Sequence, residues 1–300
     1  MLMKALDSYL AIRRAAGFKL KAQEYILRSF ARFASERGEN HIRTASVMEW
    51  ASQIKAPWYR LEPVAPFARY LHAEDEQHEV PPSRLLGRRP PRRIPFIFSQ
   101  DELNRLLQAA MCLRPVGSLR PHTYATLFGL LAVSGLRISE ALNLRFDDVT
   151  ADGLLIRKTK FQKSRLVPLH ETAVAGLERY LERRKRTAAT DDHVFVSLPG
   201  RRLSHSATIG AFSELRKTTG LDRGRGGRRP RIHDLRFTFA VRALENCPDG
   251  RDNVGRHMLA LSTYMGHTHF RYTYWYLQAT PHLMRDIAEA CDALLKRGAP

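Results

Sequence analysis

Between Pro81 and Pro95 the chain reads Pro-Pro-Ser-Arg-Leu-Leu-Gly-Arg-Arg-Pro-Pro-Arg-Arg-Ile-Pro, a stretch that neither helix nor sheet can cross. Each proline lacks an amide hydrogen and fixes φ, and the clustered arginines repel one another, so the segment is extended. It must separate two folded parts. The next helix signal, Ser99-Gln100-Asp101-Glu102, is a capping box that restarts regular structure. We therefore expect a helical domain over 1–80, a basic linker over 81–98 and a larger domain over 99–300. A chain of 300 residues is long enough to bury a core in each.

Apolar spacing sets the fold class. Leu2, Leu6, Tyr9 and Leu10 predict one helix, with Gly17 at its end, and Ile26, Leu27, Phe30, Phe33 and Ala34 a second, ended by Gly38. Ser46-Val47-Met48-Glu49 predicts a capping box opening a third, and Pro66 the first turn of a fourth. Beyond Ser99 the pattern predicts a helix, then a more apolar one over His122–Val133. Leu154–Arg157 and Arg165–Leu169 read as antiparallel strands, and helices resume near Glu171, near Ser206 and from His233 onward. Strands confined to one short region make the chain mainly α with a small antiparallel sheet, an α+β arrangement.

Charge narrows the partner. Lys and Arg number 49 against 30 Asp and Glu, a formal +19 with pI near 10.4. Self-repulsion of that size weakens a compact state, so it points to a polyanion, with nucleic acid ahead of a membrane surface. Charge arrives too early after Met1 for a signal peptide, and the apolar run Thr123–Leu136 is too short to span a bilayer. Lys19, Lys21, Arg28 and Arg32, on or beside the second helix, and Arg88, Arg89, Arg92 and Arg93 in the linker are candidate DNA-backbone contacts. Cys112, Cys247 and Cys291 have no paired spacing; they read as small core residues in a cytoplasmic protein. There is no phosphate loop, no His-Glu-x-x-His and no nucleophile-elbow serine; Gly224-Arg225-Gly226-Gly227 reads as a basic turn. His267 and His269 lack the carboxylate or cysteine neighbours that would complete a metal site.

Four local patterns carry chemistry. In Ser134-Gly135-Leu136-Arg137-Ile138-Ser139-Glu140 an arginine follows a glycine turn and opens a helix, where a guanidinium and helix-terminal amides favour an anion; Glu140 is placed to orient Arg137. Lys160 lies between the two strands, where a mobile ammonium is a proton donor or simply solvated. His233 and Arg236 are three apart and share a helix face. Gly266-His267 precedes Tyr276 by nine residues, and a tyrosine becomes a nucleophile only if nearby cations stabilise its phenolate.

Each pattern alone is common, but the ordered set resembles the tyrosine recombinase (phage integrase) family. Its pattern of arginine in a Gly-Leu-Arg-x-x-Glu setting, hairpin lysine, His-x-x-Arg, Gly-His and tyrosine appears here as Arg137, Lys160, His233, Arg236, His267 and Tyr276. The usual glycine-rich hairpin tip is replaced by Thr159 and Phe161, with Lys158 and Lys163 beside Lys160. Tyr272, Tyr274 and Trp275 read as packing, because Tyr276 has the family spacing from His267.

The resemblance implies a DNA-grasping N-terminal domain, a catalytic domain, and breakage and rejoining of double-stranded DNA through a 3′-phosphotyrosyl link without metal, cofactor or ATP. It implies that Arg137 and Arg236 grip the phosphate and that Lys160 protonates the leaving 5′-oxygen. His233 would help remove the tyrosine proton, and His267 would hydrogen-bond the phosphate. It further implies a homo- or hetero-tetramer on DNA, joined through a C-terminal helix over Pro281–Lys296. The Thr273-Tyr274-Trp275-Tyr276 run is similar to that of transposon-borne members. A type IB topoisomerase-like enzyme and an inactive DNA-binding accessory protein are the alternatives.

Overall fold

Helical spacing in the first 80 positions becomes four helices: α1 Leu2–Ala15, α2 Lys21–Glu36, α3 Thr44–Ser52 and α4 Pro57–His72. The computed structural model describes residues 1–82, 93–157, 164–187, 191–224, 228–246, 251–267, 269 and 271–277. It divides into two compact units, Met1–Arg93 and Ile94–Pro300. In the first, Leu6, Leu10, Leu27, Phe30, Trp50, Val64 and Phe67 form the core. Tyr9 meets Phe67 and Tyr70 with ring centroids 5.3 Å apart, and Phe30 meets Trp50 at 5.2 Å. Gly17 and Gly38 follow α1 and α2 with φ of +86° and +71°, conformations that other residues adopt at a cost.

Two helix starts differ from the sequence expectation. Ser46 does not cap α3; it is buried inside the helix and donates to Glu39 Oε1 at 2.6 Å, while Glu49 pairs with Arg37. The exposed Thr44 amide is instead met by Glu79 Oε2 at 2.8 Å, a carboxylate from after α4. Helix α4 begins at Pro57, and Pro63 and Pro66 lie inside it. The stripe of Leu61, Val64, Ala68 and Leu71 buried against the core outweighs the helix bonds those prolines cannot make.

The second unit contains α5 Gln100–Met111, α6 Leu119–Ser134, α7 Ile138–Ala141, α8 Glu171–Lys185, α9 His205–Thr218, α10 Ile232–Glu245, α11 Arg251–Tyr264 and α12 Arg271–Leu277. The Ser99 capping box is formed in both directions, at 3.2 Å and 2.8 Å, which fixes the start of α5. Packing begins earlier than that box. Phe96 and Phe98 are buried in the core, and the Phe98 amide donates to Thr238 Oγ1 on α10 at 3.0 Å, so 94–98 belongs to the folded unit. Cys112, expected in the core, is exposed just beyond α5.

Helix α6 packs against α5, α8 and α10, burying Tyr124, Leu127, Phe128, Leu130 and Leu131. The sheet has the order β1-β2-β3, with β1 Val149–Thr150, β2 Gly153–Ile156 and β3 Arg165–Val167, all antiparallel. Its register pairs Leu154 with Val167 and Ile156 with Arg165, so Leu154, Ile156 and Val167 face the core. Strand β1 was not expected; it turns through Ala151-Asp152 into Gly153. A second apolar cluster joins α10, α11 and α12 through Phe237, Val241, Leu244, Met258, Leu261, Met265 and Tyr276. No helix among the described residues is long and apolar enough to cross a membrane.

Candidate active site

Three chain segments converge in the second unit: the turn from α6 into α7, the first half of α10, and the loop and helix after α11. At the first, Gly135 ends α6 with φ +59°, which turns the chain so that Arg137 caps α7. A side chain at Gly135 would strike the Phe239 ring. The Arg137 guanidinium donates to Glu140 Oε1 at 2.8 Å and to the Gly266 carbonyl at 3.0 Å. Glu140 thus holds the Arg137 guanidinium from one turn along the chain.

Glu140 also holds a residue that sequence reading left unassigned. Arg165, the first residue of β3, binds it with both nitrogens, at 3.0 Å and 2.8 Å, and its Nε donates to the Tyr264 carbonyl at 2.9 Å. Burial works to raise the Glu140 pKa, but the hydrogen bonds and charges of Arg165 and Arg137 prevail and hold it at about 2. Gly266, with φ +64°, lies against the same guanidinium; a Cβ there would come within 2.9 Å of Arg165 Nη1.

Arg236 is 2% exposed on α10. Its guanidinium donates to the Gly135 carbonyl, to the Met265 carbonyl at 2.7 Å and to His267 Nε2 at 3.2 Å. Burial pushes its pKa down to about 10, with Arg137 lowering it and Tyr276 and Glu140 raising it, so it stays charged at neutral pH. Carbonyls, not a carboxylate, hold this cation, so its charge remains available to an incoming anion.

Tyr276, on α12, is 3% exposed and packed among rings. Phe237 meets it at 5.0 Å, and the His267 imidazole stacks on it at 5.7 Å with an 18° interplanar angle. Its hydroxyl lies 3.4 Å from His267 Nε2. Tyr272 and Tyr274, expected as packing, are instead exposed, while Trp275 does pack against this cluster. His233 is exposed one turn before Phe237, its ring edge-on to that phenyl at 5.0 Å.

The structure therefore brings together Arg137, Glu140, Arg236, His267 and Tyr276, and sets His233 beside them through Phe237. Lys160 lies outside the described residues, as do Lys158, Lys163, Arg88, Arg89, Arg92 and the segment Pro281–Lys296. In the N-terminal unit Lys19, Lys21 and Arg32 are exposed, and Arg93 is exposed at that unit's last position. Arg28 is half-buried, bound to Asp7 at 2.7 Å and Glu24 at 3.1 Å. Lys21, Tyr25, Arg28 and Arg32 form one stripe of α2, opposite its buried Ile26, Leu27, Phe30 and Ala34. Tyr25, missed in the sequence, is 79% exposed in that stripe.

Elsewhere, among the described residues, His41, Asp75 and His78 lie close enough to share an ion, as do Asp191, Asp192 and His193. In the first group the Ile42 amide donates to His78 Nδ1 at 3.0 Å, which uses that ring's lone pair and leaves its other nitrogen protonated. A mainly apolar cavity between α5, α6 and α8, lined by Leu107, Met111, Leu130 and Leu177, includes none of the candidate site residues.

A helical unit and a mixed unit that gathers arginines, a histidine and a buried tyrosine are the arrangement that the sequence resemblance implied. The chain belongs to the phage integrase (tyrosine recombinase) family, whose model matches residues 97–282. It is 40% identical over 296 residues to the Sinorhizobium fredii protein named "Putative integrase/recombinase y4rB", covering 94% of both chains. It is 30% identical over 189 residues to the tyrosine recombinase XerD of Proteus mirabilis, covering 62% of this chain and 58% of that one. In fold it is similar to the Tn1549 transposon integrase in complex with transposon right end DNA, with TM-score 0.66, 16% identity and coverage of 92% and 94%.

Proposed function

We propose that this chain is a site-specific recombinase that cuts and rejoins double-stranded DNA through a 3′-phosphotyrosyl link on Tyr276. The observation that carries this reading is the meeting of Arg137, Arg236, His267 and Tyr276 from segments far apart in the sequence. Arg137 and Arg236 take the non-bridging oxygens of the scissile phosphate and stabilise the charge that builds there in the transition state. Tyr276 attacks phosphorus in line, and the 5′-oxygen leaves with a proton from Lys160. His233 helps remove the tyrosine proton, and His267 hydrogen-bonds the phosphate. The bond energy stays in the covalent link, so a 5′-hydroxyl from a partner duplex reverses the step and exchanges strands.

Integration, excision or transposition of a mobile element is the biological role we favour, supported by the likeness to integrases of phage and transposon origin. Four subunits assemble on two DNA sites in this reading, through the segment after Pro281. The basic stripe of α2 and Arg93 supply backbone contacts.

Tyr276→Phe should bind DNA as the wild type does and form no covalent adduct on a nicked substrate that traps the intermediate. Adducts from that variant, or their loss in Tyr272→Phe instead, would move the nucleophile elsewhere.

A further inference from the structure

Three carbonyls in succession at the end of α11 each receive one guanidinium. Tyr264 accepts from Arg165 Nε at 2.9 Å, Met265 from Arg236 Nη2 at 2.7 Å and Gly266 from Arg137 Nη2 at 3.0 Å. The last carbonyls of a helix lack amide partners within it and carry partial negative charge, so they hold cations in place without neutralising them. Arg137 differs from Arg236 in that it also meets a carboxylate. Glu140 accepts from the Arg137 guanidinium at 2.8 Å and from the Arg137 amide at 2.9 Å, and Arg165 adds bonds of 3.0 Å and 2.8 Å. All four lone-pair positions of the carboxylate are then filled. The Arg165 side chain is 14% exposed and that of Arg137 34%, so Arg137 is the one of the two that is open to a substrate.

We infer that Arg165 is a positioning residue for the scissile phosphate: it takes up the charge of Glu140, so that this carboxylate aims Arg137 without cancelling it. The inference rests on the phosphotyrosyl chemistry proposed above, in which Arg137 and Arg236 stabilise charge on the non-bridging oxygens. Glu140 against Arg137 alone would make a neutral pair, and a neutral pair attracts an incoming phosphate weakly. With Arg165 on both carboxylate oxygens, two guanidiniums share one carboxylate and the group keeps one net positive charge. Arginine suits this task because its planar fork meets both oxygens at once and stays protonated at neutral pH. Glycine at 266 leaves room for the fork, since a Cβ there would come within 2.9 Å of Arg165 Nη1. The three arginines thus divide the work: Arg236 is held by carbonyls, Arg137 is aimed by Glu140, and Arg165 offsets what that aiming would cost in charge.

The test compares ordinary nicked DNA with the same DNA carrying a methylphosphonate at the scissile position, where a methyl group replaces one non-bridging oxygen and removes the negative charge. On the ordinary substrate Arg165→Gln should form adduct about 10- to 100-fold more slowly than wild type, the range for supporting partners one step from a functional group. On methylphosphonate its rate should approach that of wild type, and Arg137→Ala should show the same relief, because the charge that both residues serve is gone. Adding Glu140→Gln to Arg165→Gln removes the carboxylate charge that Arg165 offsets, so the double variant should recover most of the rate on ordinary DNA. It also leaves no buried carboxylate half-paired, which keeps the test open if Arg165→Gln alone does not fold; the double variant is then compared with wild type. A defect equally deep on both substrates would overturn the inference and make Arg165 a packing residue of β3. So would a double variant that recovers no rate, or an Arg165→Gln that cleaves ordinary DNA at the wild-type rate. If wild type forms no adduct on ordinary DNA, the proposed function fails first, an outcome that none of the Arg165 results resembles.

Discussion

At the scale of single residues, Glu140 is the side chain on which two arginines depend. It orients Arg137 and binds Arg165 with both oxygens, and its pKa sits at about 2 against an ordinary 4.5. A depressed carboxylate stabilises the fold above its unfolded pKa, and that contribution is lost as pH falls through the folded value. Wild-type unfolding free energy should therefore decline between pH 4.5 and about 2, in part through Glu140. Glu140→Gln, measured by urea unfolding, should be less stable by about 1–3 kcal/mol at pH 7 and should show a shallower decline over that acid range. An unchanged acid slope would place the sensitivity in other carboxylates. Arg137 and Glu140 were legible because glycine turn, arginine and glutamate fall within one short run. Arg165 and Thr273 were not, because what matters in each is a contact made in three dimensions. Arg165 reaches Tyr264, 99 residues away, and Thr273 meets a histidine that also contacts Arg236 on α10.

At the scale of elements, legibility followed how local the cause was. The Ser99 box and the glycines after α1 and α2 act within a turn, and they lie where the sequence put them. The starts of α3 and α4 depend on Glu79 and on burial of Leu61, Val64 and Leu71, so the local signals at Ser46 and Pro66 misled. Strand β1 is two residues long, below the length at which alternation can be read. The β2–β3 pair has a particular consequence for chemistry, since Arg165 ties its base to Glu140. The segment between those two strands carries the proposed acid Lys160. An alkoxide is a very strong base and needs a proton to leave, whereas a thiolate, with a thiol pKa of about 8.5, does not. Lys160→Ala should therefore cleave ordinary DNA very slowly and recover much of its rate when sulfur replaces the bridging 5′-oxygen. Arg137→Ala should show little recovery, and Lys158→Ala and Lys163→Ala should resemble wild type on both substrates. Recovery confined to Lys163→Ala would shift the register of the hairpin.

At the scale of the whole molecule, the formal charge of +19 should be read out by salt. Each phosphate neutralised contributes about −0.9 to the slope of log affinity against log salt concentration. Replacing both Lys21 and Arg32 by alanine should make the slope for duplex DNA shallower by as much as about 1.8 if each contacts one phosphate. A slope identical to wild type would mean that the exposed stripe of α2 serves something other than DNA. The chain's function depends equally on how distant parts are joined. Arg137 reaches Gly266 across 129 residues, Arg236 reaches Gly135 across 101, and Met265 and His267 complete the ring of contacts. Loops of that length carry an entropic cost of closure that the packed unit must offset. Helices and basic surface are local features of this chain, whereas the cluster around Arg137 and Arg236 requires the whole second unit. The site is complete only when the second unit is folded throughout.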